Sequence, residues 1–111
     1  MSKQRAKGTM FETLVANYLR EHGFPHAERR ALQGVQDKGD LTGMPGLVIE
    51  CKNHKEISLS EWLRETEQER QNADADYGVL VVKRRGVWDA GQSYAVMPLG
   101  AMARLLKQAG Y

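Results

Sequence analysis

The sequence predicts an α/β protein, a central mixed β-sheet flanked by α-helices. Three observations predict it. An amphipathic helical run opens the chain, two β-rich runs at 47–52 and 77–83 enclose a polar helical segment, and a second periodic apolar segment closes it. Strands interleaved with helices in this order build layers around one sheet.

Residues 9–22 place Met10, Phe11, Leu14, Val15, Tyr18 and Leu19 on one face at i, i+3, i+4 and i+7 spacing, the pattern of a helix with a buried stripe. Thr9 suits the N-cap and Gly23 a left-handed close. Residues 1–8, MSKQRAKG, then read as a flexible basic arm ahead of a single domain at 9–111. A short strand is expected within 26–33, followed by a turn over 34–39, GVQDKG. Asp40–Thr42 is a short extended piece, broken by Gly43-Met44-Pro45-Gly46, and Leu47–Lys52 is a strand.

Ser58-Leu59-Ser60-Glu61 matches a capping box and predicts a second helix to about Ala73. Tyr77–Lys83, almost wholly apolar, predicts a strand buried on both faces. A basic loop follows, then a strand at Ser93–Met97. Pro98 suits the first turn of a last helix that buries Leu99, Met102, Leu105 and Leu106.

The composition is that of a globular chain: 111 residues, 41% apolar and 27% charged, with a net charge of +2. No apolar run approaches the roughly 20 residues that span a bilayer, so no membrane association is expected. Cys51 is the only cysteine, and His22, His26 and His54 have no zinc-ligand spacing. The expected setting is reducing and cytoplasmic. Charge is segregated along the chain. Lys3/Arg5/Lys7, Arg29/Arg30, Lys52/Lys55 and Lys83/Arg84/Arg85 are basic, whereas acid concentrates in 61–76. Such segregation permits one basic face that meets phosphates, with Lys7, Arg29, Arg30, Lys55, Lys83, Arg84 and Arg85 as candidate DNA contacts; the alternative is solvated surface charge.

The chemistry concentrates in the 47–52 strand. Alternation puts Val48, Glu50 and Lys52 on one face and Leu47, Ile49 and Cys51 on the other. An acid and an amine roughly 7 Å apart on an apolar strand carry a desolvation cost that calls for a role. A turn at Gly43–Gly46 brings Asp40 to the same place. Two carboxylates and the Cys51 carbonyl suit Mg²⁺, with Mn²⁺ as a substitute, because that ion takes octahedral oxygen ligands and few protein carboxylates. Such an ion polarises a phosphodiester and activates water, while Lys52 holds the water or stabilises the developing charge. The competing reading is an edge strand with a weak surface ion pair. The Cys51 side chain points away, as a small core residue.

Asp40 followed by Glu50-Cys51-Lys52 resembles the Asp…Glu-x-Lys signature of the PD-(D/E)XK nucleases. With Lys7-Gly8-x-x-x-Glu12, Gly23 and Gly39-Asp40 in order, most of residues 7–84 is similar to the archaeal-type and phage Holliday junction resolvases. The resemblance implies a restriction-endonuclease-like core and a homodimer that hydrolyses phosphodiesters in four-way DNA junctions. It also implies that Glu12 joins the metal site or orients a water; without it Glu12 reads as an ordinary helix-surface residue. One departure stands out: Gly34-Val35-Gln36 replaces the serine usual in the loop before the aspartate. Two alternatives stay open, a nuclease of the same fold with another DNA target (restriction-like or a repair nickase) and an inactive DNA-binding module. Glu65, Gln68 and His54 are peripheral candidates set against plain solvent exposure. Trp62 reads as packing, and Trp88 as core, dimer interface or stacking platform.

Overall fold

The hydroxyl of Ser2 accepts the Arg5 backbone N–H at 3.1 Å, and this cap starts the first helix, α1 (Lys3–Glu21). The computed structural model describes residues 2–31 and 37–111. The expected arm at 1–8 is therefore helical from Lys3 onward, and Thr9 lies inside the helix, its carbonyl accepting the Thr13 hydroxyl at 3.0 Å. Apolar periodicity marked only the part of α1 that is covered, around Phe11, Val15 and Ala16. The exposed first two turns rest on the cap and on the helix propensity of Lys, Gln, Arg and Ala. Gly23 closes the helix at φ +105°, with the Phe24 N–H returning to the Leu19 carbonyl at 3.0 Å.

The strand expected within 26–33 is only two residues long, β1 (Glu28–Arg29). It pairs antiparallel with β2 (Leu41–Thr42). Residues 32–36, which include the end of that expected strand and the start of the expected turn, lie outside the described residues. Gly43 is obligatory beside this pair: at φ +92° a Cβ there would lie 1.8 Å from the His26 carbonyl oxygen.

The main sheet has the order β3 (Leu47–Lys52), β4 (Tyr77–Val82), β5 (Tyr94–Val96). β3 and β4 are parallel, from Leu47 opposite Tyr77 to Lys52 opposite Val82, while β5 runs antiparallel to β4. The crossover between the parallel strands is α2 (Leu59–Asn72), as such a connection requires. Ser58 is its N-cap residue, but the hydroxyl makes no capping bond, so the expected capping box does not form.

Two helices sandwich the sheet. Phe11, Val15 and Ala16 of α1 pack with Leu41, Ile49 and Cys51 on one face. Trp62 of α2 packs with Leu80 and Val82 on the other. Each such buried side chain contributes on the order of 1.5–3 kcal/mol. Gly78 lets α2 sit close, because a Cβ there would already be 3.2 Å from the Thr66 methyl.

The last helix, α3 (Leu99–Gln108), departs from expectation. Leu99, Met102, Leu105 and Leu106 are all exposed, Leu99 by 75%. Periodicity shows which face of a helix wants cover but not whether the chain supplies it; here the contacts run instead from Tyr77, whose hydroxyl donates to Gln108 Oε1 at 2.9 Å and whose ring lies 5.5 Å from the Arg104 guanidinium. No helix among the described residues is long and apolar enough to cross a membrane.

Candidate metal centre and basic cleft

β3 has two edges with different duties. Toward β4 its backbone is paired, and the Lys83 N–H reaches the Lys52 carbonyl at 3.0 Å. Ile49 and Cys51 turn their backbone groups to the opposite edge, where Asp40 grips them. The Asp40 N–H donates to the Ile49 carbonyl at 2.9 Å, and Asp40 Oδ2 accepts the Cys51 N–H at 2.7 Å. Strand geometry sets the Cys51 carbonyl on this same edge. Asp40 thus reaches β3 through two hydrogen bonds rather than a β2–β3 ladder; β2 pairs with β1.

Around Asp40 and Glu50 the carboxylates form a continuous row. Asp40 and Glu69 both act on the Glu50 carboxyl, and Asp37 and Asp40 on that of Glu69. Donor oxygens of Asp37, Glu50 and Glu69 all lie within 4.8 Å of one another. Glu12 feels the Asp40 charge from α1, and the Arg29 Nε sits 3.2 Å from its carboxylate. Glu50 and Glu69 are 5% and 4% exposed. Burial, reinforced by Asp40 and Glu69, pushes Glu50 up to about 12. Burial also pushes Glu69 up to about 7, with Asp37 and Asp40 adding to the rise against the hydrogen bond from Glu50. Burial raises Glu12 as well, and Asp40 adds to it while Arg29 opposes it. One Glu69 oxygen, Oε2, is buried without any hydrogen-bond partner. Buried carboxylates that face each other with an oxygen unsatisfied lack positive charge, and all their donors are hard oxygens of the kind Mg²⁺ takes. The residues present fit such an ion.

Lys52 flanks the row. Its Nζ lies 3.2 Å from Glu65 Oε2 and 5.8 Å from the Trp62 ring centre. Burial works against its charge, but the Glu65 hydrogen bond and the Glu50, Glu65 and Asp40 charges outweigh it and raise the pKa. The amine is therefore a protonated donor. Cys51 packs in the α1-side core, and burial beside Asp40 and Glu12 raises its thiol well above the ordinary value, which leaves it inert as a nucleophile.

Comparison of the chain with protein-family models, curated proteins and solved structures returned no match.

The basic residues divide into two groups. Lys7, Lys55, Lys83 and Arg85 line one cleft of about 620 Å³, with Asn53 and Trp88, immediately beyond the end of β3. Lys83 is buried, donating to the Arg84 carbonyl at 3.1 Å. Arg84 stands beside the cleft, its guanidinium 3.4 Å from Gln92 Oε1 and 5.7 Å from the Tyr94 ring centre. Arg29 and Arg30 are elsewhere. Arg29 pairs with Glu12, and an Arg30 Nη reaches the Leu41 carbonyl at 3.5 Å. Gln68 is exposed and bonds Asn72.

Sequence reasoning missed Glu69 and Asp37. Glu69 had a usable signal: with Trp62 and Thr66 it forms an i, i+4, i+7 series, and all three are buried on α2. Asp37 had none, since it is tied to α2 by a tertiary contact that no local pattern marks, its carbonyl accepting Asn72 Nδ2 at 2.9 Å.

Proposed function

We propose that the protein is a metal-dependent deoxyribonuclease of the PD-(D/E)XK type, with a restriction-endonuclease-like core and a preference for four-way DNA junctions, which it cuts as a homodimer. The observation that carries the reading is the carboxylate row on and beside β3, in which Glu50 and Glu69 are buried, with an orphaned Glu69 oxygen and a protonated lysine two residues after Glu50. Asp40, Glu50, Glu69 and Asp37, with the Cys51 carbonyl, would hold Mg²⁺ or Mn²⁺, and Glu12 approaches from the Asp40 side. A bound ion of this kind supplies Lewis-acid polarisation of a phosphoryl oxygen and a more acidic water.

The chain's own groups perform the rest. The backbone of β3 fixes Asp40 through the Cys51 N–H, so that carboxylate is oriented before substrate arrives. Lys52, protonated and steadied by Glu65, donates from Nζ toward the extra negative charge that develops on a pentacoordinate phosphorus. The adjoining basic cleft binds the flanking backbone without reading sequence. The preference for junctions rests on the resemblance of Lys7-Gly8-x-x-x-Glu12, Gly39-Asp40 and Glu50-x-Lys52 to the junction resolvases, and paired cuts call for two copies related by a two-fold axis.

The test is a gel assay of four-way junction, flap and linear duplex with Mg²⁺, Mn²⁺ or EDTA, beside a solution mass measurement. Paired nicks in the junction by a dimer support the full reading. Equal cutting of all substrates supports a nuclease with another target. Binding without cutting under either ion supports an inactive DNA-binding module.

A further inference from the structure

We infer that the cleft beyond β3 is a subsite for one unpaired nucleotide, with its backbone held by Asn53 and the surrounding cations and its base stacked on Trp88. This rests on the nuclease reading for the choice of DNA as ligand, and it adds the requirement for a single-stranded or unstacked base next to the cut.

Three observations in the cleft converge. The Trp88 indole lies with one face 4.1 Å from the Lys83 ammonium, yet the residue is 55% exposed. The ring thus carries a cation against one face while much of the residue stays exposed, as a stacking platform requires. The Lys83 ammonium beneath it is itself part of a residue only 8% exposed, and among the described residues no carboxylate pairs with it. A buried cation with no counter-ion leaves a positive field in the cleft that suits an anion. Asn53 Nδ2 is a buried donor with no acceptor, at the wall of the same cleft. Lys7, Lys55 and Arg85 add exposed cations around the rim.

An aromatic face among backbone-binding cations is the pattern of single-strand recognition, because a base inside a duplex is already stacked on both sides. The cleft volume of about 620 Å³ lies within the range of pockets that hold one small molecule. Asn53 follows Glu50 by three residues, roughly 10 Å along extended chain, so a nucleotide seated here lies close to the phosphate at the carboxylate row.

Trp88 emission tests the assignment, since Trp62 is buried. The full chain, with Ca²⁺ as divalent ion, is titrated with oligothymidylate of about eight nucleotides, within the site sizes of single-strand binders. A base-free oligomer of the same length and a hairpin duplex serve as comparisons. Oligothymidylate should quench Trp88 and the base-free oligomer should not. Trp88→Leu should weaken oligothymidylate binding about tenfold, a typical loss for one stacked base, with little change for the duplex. Trp88→Phe should keep most of the affinity, and Asn53→Asp should weaken both oligomers through charge repulsion. Equal binding by Trp88→Leu and the parent, or equal quenching by the base-free oligomer, overturns the subsite. Cleavage with Mg²⁺ but no quenching removes the subsite and leaves the nuclease reading standing. Quenching without cleavage does the reverse, and a chain that binds neither these oligomers nor a four-way junction loses both.

Discussion

Asp40 holds the Cys51 backbone N–H on its Oδ2 at 2.7 Å, so the aspartate beside the converging Asp37, Glu50 and Glu69 carboxylates is also a structural tie to β3. The two duties separate by substitution. Asp40→Asn retains an acceptor oxygen and loses the charge, so its melting should stay near that of the parent while cleavage falls by at least roughly a hundredfold. Asp40→Ala loses both and leaves the N–H without its partner, which costs about 1–3 kcal/mol more. Thermal melts of the two variants compare them directly. Equal stability would mean that the bond contributes nothing to folding.

Glu50 and Glu69 should trade stability for function. In the metal-free protein each is a buried acid facing another. Glu50→Gln and Glu69→Gln keep the shape and replace acids whose ionisation burial opposes, so each should raise metal-free stability at pH 8 by roughly 1–3 kcal/mol while abolishing or sharply reducing cleavage. Chemical denaturation in EDTA, paired with the nicking assay, reads both effects. A destabilised Glu69→Gln variant would show that its carboxylate serves the core and not an ion.

Much of this centre was legible in the sequence, because strand alternation alone puts Glu50 and Lys52 on one face and the Gly43–Gly46 turn returns Asp40 to their edge. The phase of α2 held Glu69 equally openly, yet an acidic stretch reads as solvated until a buried Trp62 sets the phase. What escaped was tertiary. The arrival of Asp37, the pairing of Arg29 with Glu12, and the bare face of α3 depend on where whole segments lie, which no local pattern encodes.

The row also fixes how stability varies with pH. Glu50 and Glu69 both rise on folding from an ordinary 4.5, Glu69 to about 7 and Glu50 further. Between 4.5 and those values the folded chain binds more protons than the unfolded one. Their contribution is therefore full below pH 4.5 and is lost as pH climbs through the folded values. In EDTA the melting temperature should fall steadily from pH 5 to pH 8. Mn²⁺ added at pH 8 should recover most of the loss, and at pH 5 it should do little. A metal-free protein that melts higher at pH 8 than at pH 5 would contradict the burial of these acids.

Lys52 separates electrostatic help from metal holding. Lys52→Met keeps a long apolar side chain and deletes the ammonium near Glu65, Glu50 and Asp40. Cleavage should drop by about a hundredfold or more, with Mn²⁺ affinity in a calorimetric titration unchanged or slightly higher, since a competing positive charge has gone. Loss of Mn²⁺ binding together with cleavage would instead make Lys52 part of the scaffold of the centre.

The grip of Asp40 on the backbone of β3 has a consequence outside chemistry. A border strand offers bare amide and carbonyl groups to any neighbouring chain, and here the Ile49 carbonyl and the Cys51 N–H are already taken. The same residue that would serve hydrolysis therefore also guards against strand-by-strand self-association; a small apolar side chain there frees the Cys51 N–H, while the backbone N–H of residue 40 still holds the Ile49 carbonyl.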